Sequence, residues 1–272
     1  MLITLVVANQ KGGVGKTTTA LNLAASLSAA SRKVLLIDLD AQGNSTTGTG
    51  EEKNQKETSL IDVLVDNDSA LEKVIEETRY KFDLIPASTD LISAEIELSS
   101  LPSPTAILKE KLKDLGEAYD YTVIDCPPSL GMLSVSALRA ASKVLIPLQC
   151  EYYSLEGLAS MNKTINEIND ATGEKIEISG ILRTMYDSRI RLSREVSQEL
   201  EEHFSEQLCD TVIPRNVKLA EAPSFGMPVL YYEPEAKGTL AYLALAGEII
   251  NKYETNSVTV SYTHLTLPTI AL

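Results

Sequence analysis

Residues 11–18 read Lys11, Gly12, Gly13, Val14, Gly15, Lys16, Thr17, Thr18, so three glycines, two lysines and two hydroxyls share eight consecutive positions. Glycines let the backbone curl until its N–H groups converge on an anion, Lys16 supplies a neutralising charge, and the Thr17 hydroxyl can ligate Mg²⁺. This is the chemistry of a phosphate-binding loop, and it implies a nucleotide ligand. The common form of such loops has glycine six residues before the lysine; here that place is Gln10, and a second lysine, Lys11, follows it. Two cations in one short loop repel each other unless an anion lies between them.

Three carboxylates complete the set. Asp38 and Asp40 close an apolar run and stand two residues apart, so at the end of a strand both project the same way, toward a phosphate loop in a parallel sheet. Asp125 follows the apolar Val123 and Ile124 and precedes Cys126, Pro127 and Pro128. A carboxylate there is suited to hold Mg²⁺ through water while the prolines stiffen the turn. One aspartate at a strand end is ordinarily a turn or a helix cap; three of them beside a phosphate loop point to a site.

Such residues need elements to position them. Apolar runs at 2–8, 34–39, 82–86, 121–126, 144–148 and 176–182 are strand-like on both faces and alternate with helical segments at 18–30, 90–98, 104–119, 154–170, 192–208 and 239–252. The pattern predicts an α/β fold, a three-layer sandwich whose mostly parallel sheet is covered by helices on both faces. Leu192, Val196, Leu200, Phe204 and Leu208 recur every fourth residue, a stripe expected to face the core. Residues 43–57 are polar and without period, which predicts a mobile loop. Residues 1–253 are expected to form a single domain. The tail, 254–272, reads as non-native or disordered: from Ser257 onward it is rich in threonine and leucine and carries no charge, like translated adapter sequence.

Composition narrows the class. The 272 residues are 44% hydrophobic, in short runs, with no apolar stretch long enough to span a bilayer. Met1 leads directly into a core-like strand without the basic and apolar regions of a signal peptide, so a cytoplasmic location is expected. Cys126, Cys150 and Cys209 fit neither a disulfide framework nor metal-ligand spacing and read as small core residues. A net charge of −14 confines any nucleic-acid contact to a local basic patch. Arg183, Arg189, Arg191 and Arg194 fall close together, with Arg215 and Lys218 further on, and three of these arginines sit where their charge opposes a helix dipole. That arrangement hints at an anionic partner.

Taken in order, KGGVGKTT, DLDAQGN, DCPPS, TMYD (184–187) and IPRNVKLAEAPSFG (213–226) resemble the ParA/Soj chromosome-partitioning ATPases of the MinD/ParA deviant Walker A group. The resemblance covers the chain from Met1 to about residue 253, with Ala41 where the family usually has proline and Lys218 where arginine is common. It implies slow, Mg²⁺-dependent ATP hydrolysis. Lys16 would bind the β- and γ-phosphates, Thr18 the α-phosphate, and Gly12, Gly13, Val14 and Gly15 would wrap them. Lys11 would be the signature lysine that crosses into the partner's site of an ATP-bound homodimer, acting much as an arginine finger does. Asp40 would orient the attacking water. Thr17 would ligate Mg²⁺, Asp38 would sit near it, and Asp125 would hold one of its waters. Pro214 and Asn216 would contact adenine, and Arg189 and Lys218 would belong to a surface binding double-stranded DNA without sequence preference. The implied partner is a ParB-type centromere-binding protein that stimulates hydrolysis, and the implied place is the nucleoid. The alternative is a MinD-like, membrane-cycling regulator of the division site. It requires a basic amphipathic C-terminal helix, whereas residues 239–252 have Lys252 as their one cation. An iron-protein-like reductase would need a second cysteine in a loop comparable to that of Cys126, and the sequence has none.

Overall fold

The structure, a computed structural model, describes residues 2–52, 58–66 and 68–254. The tail expected to be non-native lies, from residue 255 on, outside them.

Eight strands are present among the described residues: β1 (Ile3–Val7), β2 (Val34–Asp38), β3 (Glu76–Glu77), β4 (Asp83–Ile85), β5 (Tyr121–Asp125), β6 (Lys143–Gln149), β7 (Ile178–Tyr186) and β8 (Leu208–Pro214). They form one sheet in the order β3-β4-β2-β5-β1-β6-β7-β8. Every pairing is parallel except β3 with β4. This is the mostly parallel sheet the apolar runs predict, and β1 lies at its centre because it is buried on both faces along its whole length.

Alternate residues of the central strands feed two cores. Val6, Ile37, Ile124 and Ile146 face one side, against Leu60–Val65, Ile107–Asp114, Met132–Ala140, Ser154–Thr172 and Arg191–His203. Leu5, Val7, Leu36 and Val123 face the other, against α1 (Lys16–Ala29) and the helix Lys237–Glu254. Helices therefore cover both faces. Each fully buried leucine or isoleucine contributes about 1.5–3 kcal/mol, so the paired cores hold the carboxyl ends of the strands in fixed register. No helix among the described residues is long and apolar enough to cross a membrane.

Several expectations need correction. The helix expected at 192–208 ends at His203, and Leu208 opens β8 instead. A four-residue spacing drifts about 40° per step around a helix of 3.6 residues per turn, so a stripe from Leu192 to Leu208 cannot stay on one face. Val196 and Leu200 are buried, while Leu192 is 41% exposed. The segment expected at 90–98 divides into a turn, Thr89–Ile92, and a short helix, Ala94–Ser99, and that expected at 104–119 is regular only over Ile107–Asp114. The strands β3 and β8 and the helix Met132–Ala140 are additions. Within the expected loop at 43–57, Asn44–Gly48 is a helix with Ser45, Thr46 and Gly48 buried. It packs so tightly that a Cβ on Gly48 would stand 2.6 Å from Leu21 Cδ2. Residues 53–57 lie outside the described residues.

Candidate active site

The loop between β1 and α1 is built around two left-handed glycines, Gly13 at φ 74° and Gly15 at φ 90°. Any side chain there would be strained. Gly15 is also the N-cap of α1, where no side chain caps the helix and no acidic residue occupies the first turn. The first N–H groups of a fourteen-residue helix thus lack the usual partners, and Lys16 adds a positive charge at the positive end of the dipole. Both features disfavour the empty loop and favour one that holds an anion.

Neighbouring elements fix the loop's shape. Asn9 donates from Nδ2 to the Pro147 carbonyl at 2.7 Å and accepts the Lys11 N–H at 2.9 Å. Thr184 Oγ1 donates to the Val14 carbonyl at 2.8 Å, and Gln149 Nε2 to the Gly13 carbonyl at 2.9 Å. With these carbonyls turned outward, the loop interior is left to N–H groups.

The two lysines are held apart. Lys16 is buried, its Nζ donating to the Lys11 carbonyl at 3.2 Å, and burial lowers its pKa against the opposing pull of Asp125, Cys126 and Asp40. Lys11 turns outward, with Nζ 2.6 Å from Glu151 Oε2 on the rim.

Asp38 and Asp125 end adjacent strands in register with each other, both fully buried. Burial raises the pKa of each; the Asp38 carboxylate pushes Asp125 up further, and Asp40 adds to both, so Asp125 is raised most. Hydroxyls of the helix Asn44–Gly48 restrain them: Ser45 Oγ donates to Asp125 Oδ2 at 2.7 Å, while the Thr46 N–H and Oγ1 both donate to Asp38 Oδ2 at 2.8 Å. The Asp40 N–H occupies Asp38 Oδ1 at 3.2 Å. Thr17 stands close enough to Asp125 to favour its anion, yet Asp125 Oδ1 has no hydrogen-bond partner among the described residues. A fully buried carboxylate oxygen without a donor fits a hydrated cation beside the Thr17 hydroxyl. The three aspartates make no closed cage, and no cluster of three or more His, Cys, Asp or Glu side chains among the described residues could hold a metal by itself. That suits Mg²⁺, which keeps waters and shares its shell with phosphates.

Above these carboxylates lies a cavity of ≈290 Å³ lined by Gly12, Gly13, Gly15, Lys16, Thr17, Thr18 and Asp40, with Asn44, Pro128 and Met185. A second, more apolar cavity of ≈330 Å³ adjoins it and includes Ile213, Pro214, Asn216, Val217 and Tyr242. Gly15, Thr18 and Met185 border both. Asn216 is rigidly set, its Oδ1 accepting the Lys218 N–H at 2.9 Å. The fold thus brings Gly12, Gly13, Gly15, Lys16, Thr17, Thr18, Asp40, Pro214 and Asn216 to one cleft, with Asp38 and Asp125 beneath it, while the Val14 side chain is buried away from it and Lys11 stays on the rim.

Arg189 and Lys218 lie outside the cleft. The Arg189 guanidinium is 88% exposed and grips Asp187 at 2.9 and 2.7 Å. Lys218 Nζ is 2.9 Å from Glu221 and sits over the Tyr232 ring. Arg183, close in sequence to the other arginines, is not on the surface with them: it is buried against Ser197, Glu201 and the Cys209 carbonyl. Its place on β7, an inner strand of the sheet, turns it inward. All three cysteines are free and buried, as expected of core residues.

Sequence reasoning passed over Ser45, Thr46, Asn44, Gln149 and Met185. The first three lie in the segment expected to be mobile, and their hydroxyl and amide types directly after Gly43 were the available signal.

A family model described as an AAA domain matches residues 3–178. The chromosome partitioning protein ParA of Caulobacter vibrioides is 46% identical over 91% of this chain and 94% of its own. The sporulation initiation inhibitor protein Soj of Bacillus subtilis is 44% identical over 90% of this chain and 97% of its own. Among solved structures, cobyrinic acid a,c-diamide synthase from Mycobacterium smegmatis with a bound ATP analog and magnesium superposes with a TM-score of 0.82 at 33% identity, covering 94% of this chain and 97% of that one. An α/β fold with a phosphate loop at the head of its central strand defines a P-loop NTPase. Within that class, this chain belongs to the ParA/Soj family of partitioning ATPases.

Proposed function

We propose that the chain is an ATP-driven DNA-partitioning switch. In this reading the ATP phosphates occupy the loop of Gly12 to Thr18 and the adenine occupies the cavity beside Pro214 and Asn216. Lys16 binds the β- and γ-phosphates, Thr18 the α-phosphate, and Asp40 orients the attacking water. Mg²⁺, held by Thr17 and through water by Asp125 with Asp38 nearby, supplies charge neutralisation on the phosphate oxygens. The ATP-bound chain pairs with a second copy, DNA lies along Arg189 and Lys218, and a ParB-type partner stimulates hydrolysis and release, so the protein works in the cytoplasm on the nucleoid.

The observation that carries this reading is the separation of the two lysines. Lys16 lies buried in the loop cavity, whereas Lys11 stands on the rim, 38% exposed and held by one carboxylate. A cation placed there can act on a second molecule. Giving up Glu151 for a phosphate costs little, because an exposed ion pair contributes little.

Calorimetric titration and phosphate release test the assignment together. Lys16→Ala is expected to lose ATP binding, and Asp40→Ala to retain binding while losing turnover by at least about tenfold, since one residue holds ground-state phosphates and the other positions water. Wild-type turnover in Asp40→Ala would remove Asp40 from the reaction.

A further inference from the structure

The cleft has a waist. Any ligand that spans its polar and apolar compartments passes between Gly15, Thr18 and Met185, the residues common to both. Gly15 has no side chain, so Met185 and Thr18 shape the passage.

Met185 is held there against its backbone preference. Its φ is 49°, in the left-handed region that favours glycine. The β7–β8 register also shifts between Arg183 and Tyr186, an irregularity of the kind that re-aims a strand residue. Strain of this sort persists where the surroundings over-determine it, and such places cluster at ligand clamps. Here the surroundings are the phosphate loop itself. Gln149 Nε2 donates both to Met185 Sδ and to the Gly13 carbonyl, each at 2.9 Å. Thr184, the preceding residue, holds the Val14 carbonyl at 2.8 Å, and Met185 Cε lies 3.9 Å from the point a Cβ on Gly15 would occupy. The end of β7 is thereby stitched to the loop through adjacent residues, and the loop and the thioether are placed as one unit.

Resting on the nucleotide reading above, the geometry points to Met185 as a positioning residue that seats the sugar of a nucleoside triphosphate at the waist, joining phosphate recognition to base recognition. A thioether suits this role: it is deformable and apolar, packs against a furanose ring, and offers only a weak acceptor to sugar hydroxyls. The phosphates themselves do not need it, because their donors are backbone N–H groups and Lys16.

Titration calorimetry of the full chain with Mg-ATP and, separately, with Mg-tripolyphosphate, which has neither sugar nor base, distinguishes the roles. Met185→Ala is expected to bind ATP about tenfold more weakly, the size of change produced by exposing a few methylene-sized groups that the ligand otherwise covers. Met185→Leu, of similar volume, should stay within about threefold of wild type. Tripolyphosphate affinity should be the same in all three proteins. Equal weakening of both ligands in Met185→Ala would reduce the residue to a prop for the loop, and unchanged ATP affinity would remove it from recognition; either result overturns the proposal. If the wild-type chain binds neither ligand, the nucleotide reading itself fails.

Discussion

Thr46 shows how much of this site depends on groups that never touch a ligand. Its N–H and hydroxyl both serve Asp38 Oδ2, and its hydroxyl also accepts the Ala87 N–H at 2.9 Å. Asp38 is fully buried next to a second buried carboxylate, so each lost donor leaves negative charge uncompensated in a dry place. Thr46→Val keeps the shape and the N–H but removes one donor from Asp38 and the acceptor of Ala87. The expected loss is about 2–3 kcal/mol, since hydrogen bonds to charged groups exceed neutral ones. It should appear as a lower urea midpoint with an unchanged slope. A midpoint equal to that of wild type would show that neither the Asp38 carboxylate nor the Ala87 N–H depends on the Thr46 hydroxyl.

At the scale of elements, the helix Lys237–Glu254 is pinned at both ends of its buried face. Near its start, Tyr242 is buried with its hydroxyl 3.1 Å from Thr19 Oγ1 on α1. At its end, Glu254 takes Arg32 Nε at 3.1 Å and Nη2 at 2.7 Å, and the Tyr121 hydroxyl at 2.8 Å. The Arg32 hydrogen bond, with help from Tyr121, holds the Glu254 pKa below its ordinary value despite partial burial. A carboxylate with a depressed pKa in the folded state stabilises above its unfolded pKa and ceases to do so as pH falls through the folded one. Glu254→Gln is therefore expected to be less stable than wild type by about 0.5–1 kcal/mol at pH 7, a figure limited by the exposure of the pair. The difference should shrink below the ordinary glutamate value of about pH 4.3. Thermal melts across pH check the sign: a gap that widens on acidification contradicts the ion pair.

For the whole molecule, a net charge of −14 must be reconciled with the DNA partner proposed above. Arg189 and Lys218 are each paired with a neighbouring acid, Asp187 and Glu221, through exposed ion pairs that a phosphate can replace at small cost. In the proposed reading one such patch would bind weakly, and two on one dimer would gain avidity even though each binds as before. Duplex DNA is accordingly expected to bind the wild-type chain only with ATP, without sequence preference and with steep salt dependence. Lys11→Ala should lose both the ATP-dependent dimer and DNA binding, whereas Arg189→Ala with Lys218→Ala should keep the dimer and flatten the log–log salt slope by roughly one unit for each phosphate no longer neutralised. Light scattering and mobility shifts at several salt concentrations read the two effects separately. DNA binding that survives the double substitution would place the surface elsewhere.

The phosphate loop, the three aspartates and the alternating α/β order were legible in the sequence because each rests on local rules. Glycine permits left-handed backbone, apolar runs make buried strands, and motif spacing survives any packing. The helix Asn44–Gly48 and the burial of its Ser45 and Thr46 were not legible: the polar residues look like a loop until Asp38 and Asp125 stand in register and offer these hydroxyls two carboxylates. Nor was the inward turn of Arg183, which depends on β7 having β8 as an outer neighbour. Met185 is the clearest case. Its residue type suggests only core filler, and its role at the waist arises from a register shift between strands, a bridging glutamine from β6 and a loop from the far end of the chain. Local sequence can specify which groups exist and which backbone each allows, but the long-range pairings that bring them within 3 Å are decided by how the sheet closes its two cores.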